Sequence, residues 1–79
     1  MTAIVNVFLK DGVLDPQGKA AHHALNSLGF AEVDDVRIGK QIIIKLNTDD
    51  KAKAEAEVKE ICETLLANTV IEDYTIEIN

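Results

Sequence analysis

The 79-residue sequence predicts an α+β domain of ferredoxin-like order, βαββαβ, with one four-stranded antiparallel sheet and two helices on one face. Three observations lead there. Stretches at both ends and in the middle alternate apolar and polar residues with the period of two that a strand requires. Two intervening stretches carry apolar residues at helical spacing, each preceded by a carboxylate suited to an N-cap. Their order, strand, helix, strand, strand, helix, strand, becomes the split βαβ arrangement when the crossovers are right-handed.

The first strand turns Ala3, Val5, Val7 and Leu9 one way and Ile4, Asn6, Phe8 and Lys10 the other. Asp11-Gly12 ends it. Asp15 offers an N-cap acceptor, and Pro16 suits the first helical position. A short helix over 16–28 follows, with Ala21, Ala24, Leu25 and Leu28 as its stripe and Gly29 as a left-handed terminator. Two β-branched runs, 32–38 and 41–46, flank Gly39-Lys40 and read as an antiparallel hairpin. Asn47-Thr48-Asp49-Asp50 caps a second helix over about 50–67, whose stripe is Ala54, Val58, Ile61 and Leu65, flanked by Cys62 and Leu66. Asn68 is the expected left-handed stop. Residues 70–78 alternate again as a fourth strand, with Val70, Tyr74, Ile76 and Ile78 on one side.

Helices on one face leave the other face of the sheet uncovered, and Ile4, Phe8, Ile43 and Ile71 fall on it. Each gains ~1.5–3 kcal/mol on full burial, so this patch predicts a sheet-to-sheet homo-oligomer, a dimer or a dimer of dimers. The alternative is a different twist or register that tucks some of the four into the core.

Composition narrows the function classes. At 47% hydrophobic and 28% charged residues, the chain is neither disordered nor of low complexity. Fourteen Asp and Glu against eight Lys and Arg give a formal charge of -6, which repels a phosphate backbone; no nucleic-acid partner is expected. The lone Cys62 forms no intramolecular disulfide and points to a reducing, cytoplasmic location. No apolar run approaches a membrane span, and no signal segment follows Met1, so a membrane role is not expected.

Catalytic chemistry finds little purchase. His22 and His23 are adjacent on a helix, diverge by ~100° and belong to a solvated face rather than to a metal site. Cys62 lies beside the core stripe, far from any helix N-terminus, and reads as a small buried hydrophobe. Asp34-Asp35, Asp49-Asp50 and Glu72-Asp73 stand at turns or strand ends, where carboxylates cap or are solvated. EF-hand, Cys-x-x-Cys, phosphate-loop and dinucleotide-glycine patterns are missing, so no catalytic, cofactor or metal residue is assigned. Two Phe and one Tyr are too few for an RNA-binding sheet.

Two polar features remain. The loop Lys10-Asp11-Gly12-Val13-Leu14-Asp15-Pro16 is either a docking element or an ordinary connection in which Leu14 staples the helix start. Arg37 and Lys40 either hold a partner's carboxylate or phosphate, or form a solvated turn that discourages edge pairing.

These same stretches resemble one family, the PurS subunits of phosphoribosylformylglycinamidine synthase. The resemblance runs from Val7-Phe8-Leu9-Lys10-Asp11-Gly12-Val13-Leu14-Asp15-Pro16-Gln17-Gly18 through Ala24-Leu25 and Leu28-Gly29-Phe30 to Val36-Arg37-Ile38-Gly39-Lys40, and ends in 65–74. Thr69 stands where the family often has proline. The resemblance implies a non-catalytic, homodimeric adaptor that joins a PurL-type synthetase to a PurQ-type glutaminase. Together they make the amidine of formylglycinamide ribonucleotide, with ammonia passing between subunits. It implies that ATP, magnesium and glutamine serve the complex and that no cofactor binds this chain. Expected self-contacts are Ile4, Phe8, Ile43 and Ile71, and expected partner contacts are residues 10–16 with Arg37 and Lys40. Two other readings of such a layout are an ACT-like ligand-sensing module and an acylphosphatase-like enzyme. The latter lacks its loop arginine here, where Asp11 and Asp15 stand.

Overall fold

Alternation in the N-terminal stretch becomes strand β1, Thr2–Leu9, in which Ala3, Val5 and Val7 are buried. The computed structural model describes residues 1–79 and continues with α1 (Pro16–Ser27), β2 (Lys40–Lys45), α2 (Lys51–Ile61) and β3 (Glu72–Ile78). The sheet has the order β2-β1-β3, and both junctions are antiparallel. Val5 stands between Ile42 and Ile76, so the odd residues of β1 share a face with Ile42, Ile44, Tyr74, Ile76 and Ile78. That face meets Val58 and Cys62, and together they form the core.

The expected four-stranded sheet is thus corrected to three strands. Residues 32–38, read from sequence as the second strand, join no ladder, and three of their N–H groups are engaged elsewhere. Val33 N–H donates to Phe30 O, Val36 N–H to Asp35 Oδ1, and Ile38 N–H to Asp15 Oδ2. The hairpin is missing for a further reason. Tight two-residue turns need a positive φ, and here only Gly12 and Gly29 have one. Gly39 instead brings the chain close alongside β1 as it enters β2: a Cβ on it would lie 2.7 Å from Val7 O.

The placement of two helices on one face is corrected as well, because no residue of α1 belongs to the core. The N-cap at Asp15 and the left-handed Gly29 form as expected, yet Ala24 is exposed and Leu28 is 74% exposed. α1 lies instead along the extended segment, where Gly18 is buried and a Cβ would collide with Val36 O. The protomer is consequently elongated, with a radius of gyration of 16.0 Å. A compact chain of this length has about 12 Å.

Asp50 caps α2 through Lys53 N–H at 3.2 Å. The helix widens into a π-helical turn over Cys62–Leu66, closed by Ala67 N–H on Cys62 O at 3.0 Å. The wider turn swings Leu65 outward and lets Leu66 meet the core, so the buried stripe is Ala54, Val58 and Cys62 rather than one continuing through Ile61 and Leu65. Asn68 is not left-handed. Its carbonyl accepts from Ile71 and Glu72 N–H, turning the chain into β3.

Candidate interaction site

The loop between β1 and α1 is built from its turn outward. Val13 N–H donates to Lys10 O at 3.1 Å, and Gly12 supplies the left-handed φ of +84° inside that turn. Arg37 reaches back across the chain. Its Nη1 donates to Val13 O at 3.2 Å, and its Nη2 donates to Leu9 O at 3.3 Å and Lys10 O at 3.2 Å. The guanidinium therefore fastens loop carbonyls rather than standing free beside a turn.

Asp15 completes the fastening from the other end. Its Oδ1 accepts Gly18 N–H at 2.8 Å and its Oδ2 accepts Ile38 N–H at 2.9 Å. These N–H groups, that of Ile38 first, together with the charge of Arg37, hold the carboxyl below the usual aspartate pKa against the opposing effect of burial. Only 5% of Asp15 is exposed, so within the expected partner-contact set it is an internal support. Leu14, 67% exposed, does not staple the helix start. Asp11, Gly12 and Pro16 are also exposed, and Lys10 makes a surface ion pair with Asp73 at 3.9 Å. Gly12, Val13, Leu14 and Asp15 face Lys19, Asp35, Val36 and Arg37 across a cleft of about 290 Å³. Lys40 stands apart from that cleft, exposed at the start of β2 and opposite Val7.

The four expected self-contact residues divide into two groups. Ile4 and Ile43 are directly paired across β1 and β2, with Ile43 60% exposed. Phe8 lies about 13 Å along the strand from Ile4, and Ile71 precedes β3 with its carbonyl on Lys10 N–H. A polar row separates them: Gln41 Nε2 donates to Asn6 Oδ1 at 3.0 Å, and Asn6 Nδ2 to Thr75 Oγ1 at 3.4 Å.

Away from these surfaces, Cys62 is fully buried, and burial pushes its thiol pKa up, with Glu63 adding to the effect. His22 is not merely solvated: with Nε2 assigned as the donor, it bonds Val33 O at 2.7 Å and helps hold the extended segment to α1. Sequence reasoning also missed Tyr74, whose hydroxyl donates to Glu63 Oε2 at 2.7 Å. That bond, with burial behind it, pushes the phenol up to about 12. No helix is long and apolar enough to cross a membrane.

A three-stranded sheet with one helix packed on it, a second held off it, and a tied-down loop beside the second's start defines a small α+β domain with an open sheet face. Comparison with known proteins makes this specific. Residues 2–79 match the PurS family, described as phosphoribosylformylglycinamidine (FGAM) synthase. The PurS subunit of Bacillus subtilis is 54% identical over 74 residues, covering 94% of this chain and 87% of that one. The Methanocaldococcus jannaschii subunit is 45% identical over 76 residues, covering 96% and 92%. Its crystal structure, described as one of the subunits of formylglycinamide ribonucleotide amidotransferase in the purine biosynthetic pathway, superposes with a TM-score of 0.89 at 44% identity, covering 99% of this chain and 94% of that one. A chain in the structure of PurLQS from Thermotoga maritima superposes with a TM-score of 0.88 at 32% identity, covering 96% and 93%. The chain belongs to the PurS family of FGAM synthase subunits, which act in purine biosynthesis. The ligand-sensing and acylphosphatase readings give way to that assignment.

Proposed function

We propose that this chain is a non-catalytic adaptor of FGAM synthase. It bridges a PurL-type synthetase and a PurQ-type glutaminase and assists the passage of ammonia from glutamine to the ATP-activated formylglycinamide ribonucleotide. The observation that carries this reading is the likeness, at a TM-score of 0.88 over 96% of the chain, to a chain of the Thermotoga maritima PurLQS structure. ATP, magnesium and glutamine are handled by the larger subunits, with none bound here. The assembly works in the cytoplasm, in keeping with a single cysteine that is free.

The chain associates with itself, as a dimer or a dimer of dimers. Its accessible surface is 5643 Å², whereas a compact monomer of this mass exposes about 4,700 Å². The excess of about 940 Å² is comparable to the ~800 Å² that each partner buries in a standard interface. Candidate surfaces are the open sheet face, with Ile4, Phe8, Ile43 and Ile71, and the partly exposed stripe of α1.

Partner contacts are drawn from the loop surface, namely the exposed Asp11, Gly12, Leu14 and Pro16 with the half-buried Lys10 and Val13, and from Lys40, with buried Asp15 and exposed Arg37 bracing the loop. Sedimentation of the chain with purified synthetase and glutaminase subunits tests the reading. Co-migration of all three is the expected result, and separate migration of this chain from both larger subunits contradicts it.

A further inference from the structure

Leu14 combines two properties that seldom coincide in a connecting loop. Its side chain is 67% exposed, yet the backbone is fastened on both sides of it. On one side Val13 gives its carbonyl to Arg37 and its N–H to Lys10 O. On the other side the Asp15 carboxylate holds both Gly18 and Ile38 N–H. An exposed leucine on a loose loop loses conformational freedom when it docks, whereas one held in place loses little.

The structure assigns Leu14 as a preorganised anchor for an apolar socket on one of the larger synthase subunits, with Asp15 and Arg37 as the positioning residues that hold it out. This rests on the adaptor reading above. The occupant is a protein surface because the charges lining the cleft beside the leucine are of both signs: Asp15 and Asp35 with Lys19 and Arg37. An apolar tip in a mixed polar rim matches the anatomy of a protein–protein hot spot, whereas a lipid headgroup or a nucleic acid calls for one sign of charge.

Binding of the full chain to each purified larger subunit is measured for wild type, Leu14→Ala, Arg37→Lys and the double variant. Leu14 is a surface residue, so Leu14→Ala keeps its thermal midpoint, and its affinity for one subunit falls by about tenfold or more. Arg37→Lys keeps the charge but loses the planar fork that spans three carbonyls. It weakens the same subunit several-fold beside Leu14 and adds nothing beside Ala at position 14, since there is no anchor left to position. Unchanged binding by Leu14→Ala overturns the anchor. An Arg37→Lys effect that is absent, or equally large in both backgrounds, overturns the positioning role. Failure of the wild-type chain to bind either subunit instead overturns the adaptor reading itself.

Discussion

The Asp15 carboxylate accepts the Ile38 backbone N–H at 2.9 Å and so ties the first turn of α1 to the segment leading into β2. This bond draws the extended segment toward α1, in line with its absence from the sheet. It also makes the loop's geometry sensitive to one proton.

The Asp15 pKa is lower folded than its ordinary value of 3.8, so its contribution to stability is full above that value and is lost as pH falls below it toward the folded pKa. Denaturant unfolding of wild type and Asp15→Asn therefore shows a gap that is constant from neutral pH down to about 5 and narrows below about 4. A gap independent of pH across that range contradicts the assignment.

Gly18→Ala removes the poorest ordinary helix former from α1, and propensity alone predicts a gain of about 1 kcal/mol. The structure predicts the opposite sign, because the added Cβ meets Val36 O and the Asp15 carboxylate. A lower melting temperature, with faster hydrogen exchange at the Ile38 amide, is the expected outcome.

Tyr74 is the chain's one tyrosine, so phenolate absorbance reports it alone. It should titrate at about 12 rather than near 10. Because the folded pKa is raised, the Tyr74–Glu63 bond stabilises below pH 10 and is lost as pH rises from about 10 toward 12. Glu63→Gln brings the titration back toward 10, and no movement in that variant refutes the bond as its cause.

The π turn predicts an asymmetry along α2's continuation. Val58→Ala, in the fully buried core, costs about 2–3 kcal/mol. Leu65→Ala, at a residue 78% exposed, changes the stability of the dilute chain by less than about 0.5 kcal/mol. Equal losses in urea unfolding imply that Leu65 lies inside, as an uninterrupted helix would place it.

What the sequence made legible was local chemistry. Asp15-Pro16 and Asp50 cap their helices, Gly29 ends one, and the alternation through Ala3, Val5 and Val7 faces the core as read. What escaped depended on partners far away in the chain. Val33, Val36 and Ile38 have strand-like side chains, but the destination of Ile38 N–H is set by a carboxylate 23 residues earlier. The Arg37 fork likewise finds carbonyls 24 to 28 residues away. Spacing could not foresee either bond, so Asp15 read only as a helix cap and loop contact, and Arg37 only as a partner contact or a solvated turn. The family resemblance ran ahead of the fold, because it rested on the matched stretches themselves and not on the assembly of the sheet.

Amidine formation by the purified synthetase and glutaminase subunits, with and without this chain, tests the adaptor account most directly. Glutamine should support the reaction only when the chain is present, while free ammonium supports it either way. A glutamine-driven rate that is the same in the absence of the chain contradicts the account.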